Sequence, residues 1–197
     1  MNFDTSQSVI LENERVLLRP LHSEDIEHLA IFSEQEPELW EYSLLPANGQ
    51  ENLKQYIAIA LEKKKIGDSY PFLVFDKKAN AYAGSTRFYD IQNTHKSVQL
   101  GYTWYGKEFQ RTGLNRHCKY LMLEFAFETL KAERVEFRGD ANNARSIAAM
   151  KGIGCTVEGI LRNNCSSPTG RRDSIVLSIL KTEWVSHVKE NLKLKIM

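Results

Sequence analysis

The sequence predicts a single α+β domain, and three observations support that fold class. Segments rich in aromatic and β-branched residues predict strands, and polar turns of a few residues separate them. Other segments carry apolar residues every three or four positions, as on one face of an amphipathic helix. The length of 197 residues suits one domain, and no Pro-, Gly- or Ser-rich linker divides it. We therefore expect one domain over residues 1–197.

The N-terminal half predicts one strand, two helices and three further strands. Residues 15–21 (RVLLRPL) favour a strand, and Ser23 is a suitable N-cap for the helix that follows. A second amphipathic helix has apolar residues at helical spacing from Leu53 and ends near Gly67. Three aromatic-rich strands come next, and their connecting turns are short enough for an antiparallel meander. Their sequences are YPFLVFD, YAGSTRFYDI and SVQLGYTWY.

The C-terminal half predicts a helix, a strand, a short helix and a closing hairpin. A helix from Leu114 followed by the strand RVEFRGD favours a parallel strand pair with a right-handed crossover. A short helix starts in NNARSIAAMK, and a hairpin closes around the turn SPTGRR. The complete order is βααβββαβαββ, with about seven strands in a mixed, mostly antiparallel sheet. The charged tail, residues 185–197, is expected to fray.

The composition argues against several classes of function. The 26 Lys and Arg residues and the 25 Asp and Glu residues nearly cancel, so we expect no nucleic acid and no membrane as partner. No apolar run approaches the roughly 20 residues that span a bilayer. Cys118, Cys155 and Cys165 form no CxxC pair, and the N-terminus does not resemble a signal peptide. These features predict reduced thiols in a cytoplasmic protein, and the scattered histidines predict no metal site.

The segment QRTGLN, residues 110–115, lies where the long helix begins. The first N–H groups of a helix have no partner within it, so this segment can donate backbone hydrogen bonds to a phosphate. Gly113 permits close approach, and Lys107, Arg111 and Arg116 add positive charge nearby. The helix dipole contributes only about 0.3 to 1 kcal/mol, so convergent hydrogen bonds must supply most of the affinity. The alternative is that Thr-Gly only marks the start of the helix.

Other phosphate motifs fit this segment less well. A Walker P-loop requires Gly-Lys-Ser or Gly-Lys-Thr, and the dinucleotide fingerprint requires further glycines, which are missing here. A second polar element follows the next strand, where Asn143 and Ser146 have the spacing N-x-x-S at the start of the short helix. The chain also has LRPL with EDIEHL near its start and PTGRRDSIVLSIL near its end.

In these residues and in its element order, the chain resembles the GCN5-related N-acetyltransferase (GNAT) superfamily. The segment 110–115 is similar to that family's Q/R-x-x-G-x-G/A signature, although Asn115 replaces the final small residue. The first and last segments resemble the RimJ/RimL branch, whose members acetylate protein N-termini. The likeness covers a core of about residues 12–184, leaving 185–197 as a tail.

The resemblance implies acetyl-CoA as cofactor and assigns residues to it. In the family, the fourth strand splays from the fifth, and its free backbone groups pair with the pantetheine arm and the thioester oxygen. A backbone N–H aimed at that oxygen is worth about 2.7 to 4 kcal/mol in the transition state. The residues expected to bind acetyl-CoA are Trp104, Tyr105, Gln110, Arg111, Thr112, Gly113, Leu114, Asn115 and Asn143. The family also often forms homodimers.

The expected catalytic residues are Asn143 and Ser146, at the motif positions of the resemblance, and Glu136, which alternates with Val135 and Phe137 on its strand. Asn143 is the N-cap of the short helix and can also bind the amide groups of the cofactor. Ser146 can donate a proton to the CoA thiolate, or it can have no role beyond occupying the first turn of that helix. Many family members use a tyrosine further along this helix, where Ala149 and Met150 stand here.

The general base is the other open assignment. Related enzymes often carry a glutamate before the GY pair of the fourth strand, where this chain has Gln99, which cannot accept a proton. Glu136 is the alternative base and would act through water. It can equally be a carboxylate on the solvent-exposed face of its strand, with no catalytic role. Glu158 is a weaker candidate of the same kind.

These residues predict an N-acetyltransferase in which an amine attacks acetyl-CoA directly in a ternary complex. Neutralising an α-amino group, whose pKa is about 7.7 to 8.0, costs less than neutralising a lysine at about 10.4, so a weak base favours a protein or peptide N-terminus. The alternatives are a polyamine or aminoglycoside acetyltransferase, and a non-catalytic acyl-CoA sensor. Arg171 and Arg172 could recognise an acidic substrate or a dimer partner. The alternative is that both are solvated and have no partner role.

Overall fold

The computed structural model describes residues 1–168 and 170–197, and these form one mixed sheet with helices on both faces. The strands are β1 (Leu11–Glu12), β2 (Val16–Pro20), β3 (Ser69–Asp76), β4 (Ala81–Gln92), β5 (Ser97–Tyr105), β6 (Arg134–Asp140), β7 (Thr156–Ser167) and β8 (Gly170–Leu180). The helices are α1 (Ile26–Gln35), α2 (Gln50–Lys65), α3 (Leu114–Glu124), α4 (Ala144–Gly152), α5 (Lys181–Glu183) and α6 (Lys189–Leu194). This arrangement confirms the predicted α+β fold class.

Within the described residues the sheet has eight strands in the order β1-β2-β3-β4-β5-β6-β8-β7. The strand beyond the predicted seven is β1, which pairs two residues with β2 and is too short to give an alternating sequence pattern. The predicted meander is β3-β4-β5, and the closing hairpin is β7-β8. The predicted turn of that hairpin includes Thr169, which lies outside the described residues.

Strands β5 and β6 form the parallel pair, and they separate soon after they start. In the described chain their ladder joins Ser97–Gln99 to Arg134–Glu136, three residues of each strand. Beyond that point β6 continues along β8, whereas β5 continues along β4. Among the described residues, no strand therefore pairs with β5 on its β6 side from Leu100 to Tyr105. Tyr56 and Gln110 donate to the carbonyls of Tyr102 and Tyr105, and the remaining polar groups on that side are available to another partner.

A bulge in β5 increases this separation. The register between β4 and β5 shifts between Ser85 and Arg87, so Thr86 faces both Tyr102 and Thr103. Tyr102 takes a left-handed conformation with φ of 49°, which is rare for a bulky residue. Bulges bend a strand and redirect its side chains, and they are common next to active sites.

The two faces of the sheet are covered by different helices. On β5, Trp104 packs edge-on against Trp40 at 5.1 Å between ring centroids, and also against Phe32 of α1. The next residue, Tyr105, points to the other face, where its hydroxyl donates to Asn115 of α3. Since neighbouring strand residues alternate in direction, α1 and α3 lie on opposite faces of the sheet.

The prediction that residues 185–197 fray is wrong. The chain is helical from α5 through a π-helical turn (Trp184–Val188) to α6, and Trp184, Val188 and Leu192 are buried. Trp184 stacks on Phe127 with ring centroids 5.6 Å apart, and its Nε1 donates to a carboxylate of the segment after α3. These three apolar residues recur every four positions, and the charged residues between them hid that pattern. No helix in the described part of the chain is long and apolar enough to cross a membrane.

Gly84 sets the spacing between β4 and β5 behind the bulge. Its φ is 150°, and a Cβ at this position would overlap the carbonyl oxygen of Trp104. Overpacking of this kind typically costs about 1 to 3 kcal/mol. We expect Gly84→Ala to lower the free energy of unfolding by that amount in chemical denaturation.

Gly152 provides the matched control for that substitution. A Cβ at Gly152 would have no neighbour within 4 Å, so Gly152→Ala should leave stability unchanged or raise it by up to about 1 kcal/mol. Equal stability of the two variants would contradict the role assigned to Gly84.

Candidate functional site

The separation of β5 from β6 opens into a large cleft. Its volume is about 770 Å³, and its walls come from β5, β6, the start of α3, α4, the loop from Leu39 to Leu44 and the hairpin β7-β8. Elements that are distant in sequence thus meet around the unpaired backbone of β5. A cavity of this size can hold a ligand as large as a cofactor.

The N-terminus of α3 lies in the wall of this cleft with its backbone exposed. Gly113 is the N-cap and has φ of 90°, and Arg111 has φ of 62°, so both take left-handed conformations. No side chain caps this helix end within the described residues, and a Cβ on Gly113 would meet nothing within 4 Å. The space in front of Gly113 at the start of α3 is therefore open, and the start of a helix suits an anion.

The six residues of the segment 110–115 do not all face the cleft. Gln110, Arg111, Gly113 and Asn115 line it, whereas Thr112 and Leu114 do not. The Thr112 hydroxyl donates to the Phe109 carbonyl at 2.7 Å and accepts from the N–H of Leu114 at 3.4 Å. The Leu114 side chain is fully buried in the core. These two residues shape the turn and anchor the helix.

Two side chains of this segment fix the geometry around Tyr105. Gln110 donates from Nε2 to the Tyr105 carbonyl at 2.9 Å and accepts from Arg145 of α4 at 3.1 Å, so it links β5 to α4. Asn115 accepts from the Tyr105 hydroxyl at 3.2 Å. Burial raises the pKa of Tyr105 well above its ordinary value, and the hydroxyl remains a donor. The side chain of Asn115 is thus occupied by this tyrosine, which explains why a small residue is not required there.

Asn143 and Ser146 both line the cleft at the start of α4. The Asn143 side chain accepts from the backbone N–H of Ser146 at 2.9 Å, which confirms that Asn143 is the N-cap. A Cβ on Gly139 of β6 would lie 3.8 Å from the Ser146 hydroxyl and 3.4 Å from the Met150 methyl group. The end of β6 therefore passes directly beneath these α4 side chains.

Glu136 is not brought to the cleft. It lies outside the lining residues, and its two oxygens accept from Arg134 at 2.7 Å and from Arg138 at 2.6 Å. Glu158 is also elsewhere, since it pairs with Arg134 and accepts from Ser178, and the Arg134 guanidinium lowers its pKa to about 2. Arginine side chains therefore bind both carboxylates, and the role of Glu136 as a base acting through water stays a prediction.

The structure places a different carboxylate in the cleft, that of Asp90. A second bulge between Tyr89 and Gln92 puts Asp90 in a left-handed conformation with φ of 49°. Its Oδ2 accepts from Nε2 of Gln99 at 2.7 Å, and both side chains line the cleft. Asp90 therefore sits beside the position where related enzymes carry glutamate. No sequence signal indicated this pairing, because it depends on a bulge that has no local signature.

Lys119 is the second functional candidate that sequence reasoning missed. It lies on α3, it is only 5% exposed, and it contributes to the cleft wall. Its Nζ donates to the hydroxyl of Thr103 at 2.6 Å and to that of Thr86 at 3.1 Å. Burial lowers the pKa of Lys119 to about 7. In the sequence, Lys119 follows Cys118 of the apolar helix face and has the pattern of an ordinary exposed lysine.

Arg172 and Arg171 have different environments. Arg172 is 8% exposed, lines the cleft, donates to the Tyr42 carbonyl at 3.3 Å and lies 3.8 Å from the Asp140 carboxylate. Arg171 is exposed and contacts Asn163 of the same hairpin. Arg172 therefore joins the hairpin to the loop that forms the opposite wall. No cluster of potential metal ligands occurs in the part of the chain that the structure describes.

Comparisons with known proteins agree with this geometry. A family model described as "Acetyltransferase (GNAT) domain" matches residues 15–156, more than half of the chain. A protein of Bacillus subtilis (strain 168) named "Putative ribosomal N-acetyltransferase YdaF" is 25% identical over 188 residues, which cover 87% of this chain and 94% of that protein.

Two solved structures share the fold over almost the whole chain. One from T. thermophilus, described as a "putative acetyltransferase", is 30% identical with a TM-score of 0.85 and covers 95% of this chain and 97% of that chain. One from Chromobacterium violaceum ATCC 12472, described as "GNAT family", is 26% identical with a TM-score of 0.82 and covers 90% and 88%. This chain therefore belongs to the GNAT family and is an acetyl-CoA-dependent N-acetyltransferase.

Proposed function

We propose that the protein transfers the acetyl group of acetyl-CoA to the α-amine of a protein or peptide, by direct attack in a ternary complex. The observation that carries this proposal is the continuity of the cleft. Its lining includes the exposed start of α3 around Gly113, the unpaired backbone of β5 and the carboxylate of Asp90. An anion site, a row of backbone donors and acceptors, and a proton acceptor thus share one cavity.

The residues at the start of α3 fit the pyrophosphate of acetyl-CoA. A Cβ on Gly113 would meet nothing within 4 Å, so the space beside it is open, and Arg111, Arg116 and Arg145 also line the cleft. We assign the phosphates to the backbone of residues 111–115, with Gln110, Thr112 and Leu114 holding that backbone in place. Charge-assisted hydrogen bonds from guanidinium and backbone groups are the usual means of binding phosphate.

The unpaired part of β5 is assigned to the pantetheine arm. Trp104 and Tyr105 are each 7% exposed, so their side chains are packed, and the residues from the bulge to Tyr105 line the cleft. Asn143 and Ser146 lie across the cleft on α4 and would hold the thiol end. Acetyl-CoA supplies the thioester acyl group, and these residues orient it toward the side of the cleft that carries Asp90.

The charges of the cleft favour a peptide over a polycationic small amine. Of the described residues that line it, two are acidic, Asp90 and Asp140, and Asp140 lies 3.8 Å from Arg172. Six are basic: Arg111, Arg116, Lys119, Arg138, Arg145 and Arg172. A polyamine or aminoglycoside would need several acids to balance its charges. A terminal α-amine needs one, and the word "ribosomal" in the name of the Bacillus subtilis relative also supports a protein acceptor.

Asp90 is the proposed proton acceptor. Gln99 donates to one of its oxygens, which fixes the orientation of the carboxylate within the cleft. An α-amine with a pKa of about 7.7 to 8.0 needs to lose a proton at neutral pH, and a positioned carboxylate can accept it directly or through water. The carboxylate of Asp90 supplies the proton acceptor that the amide of Gln99 cannot be. Its presence argues against a protein that only binds acyl-CoA as a sensor.

The phosphate assignment predicts the effect of Gly113→Ala. A Cβ in a left-handed conformation costs about 1 to 2 kcal/mol of stability, and here it would also occupy the space in front of the helix N–H groups. We expect the dissociation constant for acetyl-CoA, measured by calorimetry, to rise about tenfold or more.

Gly67→Ala is the matched control, because Gly67 has φ of 79° and open space around it but lies outside the cleft. It should lose similar stability and bind acetyl-CoA like the wild type. Equal affinity of the Gly113 and Gly67 variants would overturn the phosphate assignment.

The base assignment predicts a pH-dependent defect in Asp90→Asn. With a peptide acceptor, kcat/KM should fall about 100-fold at pH 7, and the defect should shrink at pH 9, where most of the α-amine is already neutral. Gln99→Glu introduced into this variant should restore part of the activity at pH 7. A defect of the same size at both pH values, or no defect, would contradict the role of Asp90.

The acceptor class is tested by incubating the protein and acetyl-CoA with a library of peptides and small amines. Mass spectrometry should find acetylated peptide N-termini and little acetylated polyamine or aminoglycoside. The opposite pattern would replace the peptide by a small amine as the acceptor.

A further inference from the structure

Lys119 carries a buried amine for which the described part of the fold offers no compensating anion. No carboxylate among the described residues forms an ion pair with it, and its hydrogen-bond partners are the neutral hydroxyls of Thr86 and Thr103. These hydroxyls also lie 2.7 Å from each other, so the three groups form a closed triangle. Burying a charge without a partner opposes folding, and such an arrangement is common where function requires the charge.

The titratable groups that face Lys119 are two thiols, and they do not supply the missing charge. Cys118 precedes it on α3, and Cys155 lies after α4. Burial raises the pKa of Cys118 to about 11 and also raises that of Cys155, so both are neutral thiols at pH 7. The described hydrogen bonds of Nζ number two, whereas an ammonium can donate three.

The position of the triangle connects it to the proposed chemistry. Thr103 belongs to the bulge of β5 and is the residue before Trp104, on the unpaired stretch assigned to the pantetheine arm. Thr103 and Lys119 both line the cleft, together with Met150, which stands where many family members carry a tyrosine. The tyrosine is therefore missing from α4, whereas α3 offers the amine of Lys119 as a second possible proton source beside Ser146.

We propose that Lys119, acting through the hydroxyl of Thr103, stabilises and protonates the thiolate of CoA as the acetyl group leaves. This inference rests on the proposed function. The acceptor nitrogen forms the C–N bond while the C–S bond breaks, and the electron pair of the C–S bond stays on sulfur. Thr103 Oγ1 gives its proton to the sulfur, and Lys119 Nζ gives a proton to Thr103 Oγ1. The neutral acceptor amine loses one proton to Asp90, which later releases it to solvent, and Lys119 regains one from solvent, so the protons and charges balance.

In this account Lys119 is a positioning residue and Thr103 is the group that touches the sulfur. Ser146 is the competing proton donor, since it also lines the cleft. A merely structural Lys119 would hold β5 against α3 without affecting the ionisation of any ligand. The ionisation of bound CoA therefore separates the three possibilities.

The test uses CoA itself and needs no acceptor. The ultraviolet absorbance of the thiolate is followed as pH is raised in the protein–CoA complex, after subtraction of the protein alone. In the wild type, the pKa of the CoA thiol should be lower than that of free CoA by about 1 to 3, because the thiolate and the protonated amine of Lys119 stabilise each other. In Lys119→Met it should return to the value of free CoA, and in Lys119→Arg, which keeps the charge, it should stay low.

Three results would overturn the inference. An unshifted thiol pKa in bound wild-type complex removes the role of Lys119 and leaves the proposed function intact. A shift that disappears in Ser146→Ala but persists in Lys119→Met assigns it to Ser146. A wild-type protein that does not bind CoA at all overturns the proposed function as well. The wild-type measurement alone decides the first and third outcomes, even if a variant fails to fold.

Turnover provides a second readout with its own control. In Lys119→Met, kcat should fall about 100-fold while the calorimetric affinity for acetyl-CoA changes little, because the lost step is proton donation. The alkaline fall of kcat in the wild type should also vanish in this variant. Lys151→Met, which removes an exposed lysine of α4 outside the cleft, should behave like the wild type. Equal loss of affinity and kcat in Lys119→Met would indicate a structural role.

Discussion

Every part of the candidate site depends on the separation of β5 from β6 after three paired residues. A continuous parallel ladder would satisfy the backbone of β5 internally and close the cleft. The left-handed Tyr102 and the bulge around it bend β5 away, and Gly84 lets the neighbouring strand follow closely. Left-handed conformations of bulky residues are unfavourable, and surrounding packing must hold them in place. The packing of Trp104 on one face and Tyr105 on the other provides that support.

The cleft brings together groups that have opposite electrostatic needs. The start of α3 and its neighbouring arginines suit an anion, whereas Asp90 suits the cation that an acceptor amine presents before it loses its proton. Lys119 lies buried in the wall between α3 and β5, next to the strand assigned to the reacting end of the cofactor. In the proposed mechanism, cofactor binding, proton removal and proton supply therefore lie on different elements, and a single substitution can change each of them.

Local sequence signals predicted the helix start, its exposed glycine and the capping by Asn143, because each depends on neighbouring residues. The family resemblance extended these signals to the fold and the enzyme class. Asp90 and Lys119 could not be predicted in the same way. Asp90 reaches Gln99 through a bulge, and Lys119 becomes buried only when β5 packs on α3. Glu136 lies on the same face of β6 as Arg138, which lines the cleft, as the alternation of strand residues predicts. Its carboxylate is nevertheless bound by Arg134 and Arg138 of the same strand.

The measurement that tests the central claim most directly is hydrogen–deuterium exchange of β5, followed by mass spectrometry with and without CoA. The account predicts that amides between Leu100 and Tyr105 that face the open side of β5 exchange quickly in the free protein, because no strand pairs with them. Binding of CoA should slow their exchange, while amides of β3, which is paired on both sides, should not change. Amides that are already protected in the free protein, or that stay unchanged when CoA binds, would contradict the claim that this strand edge is the cofactor site.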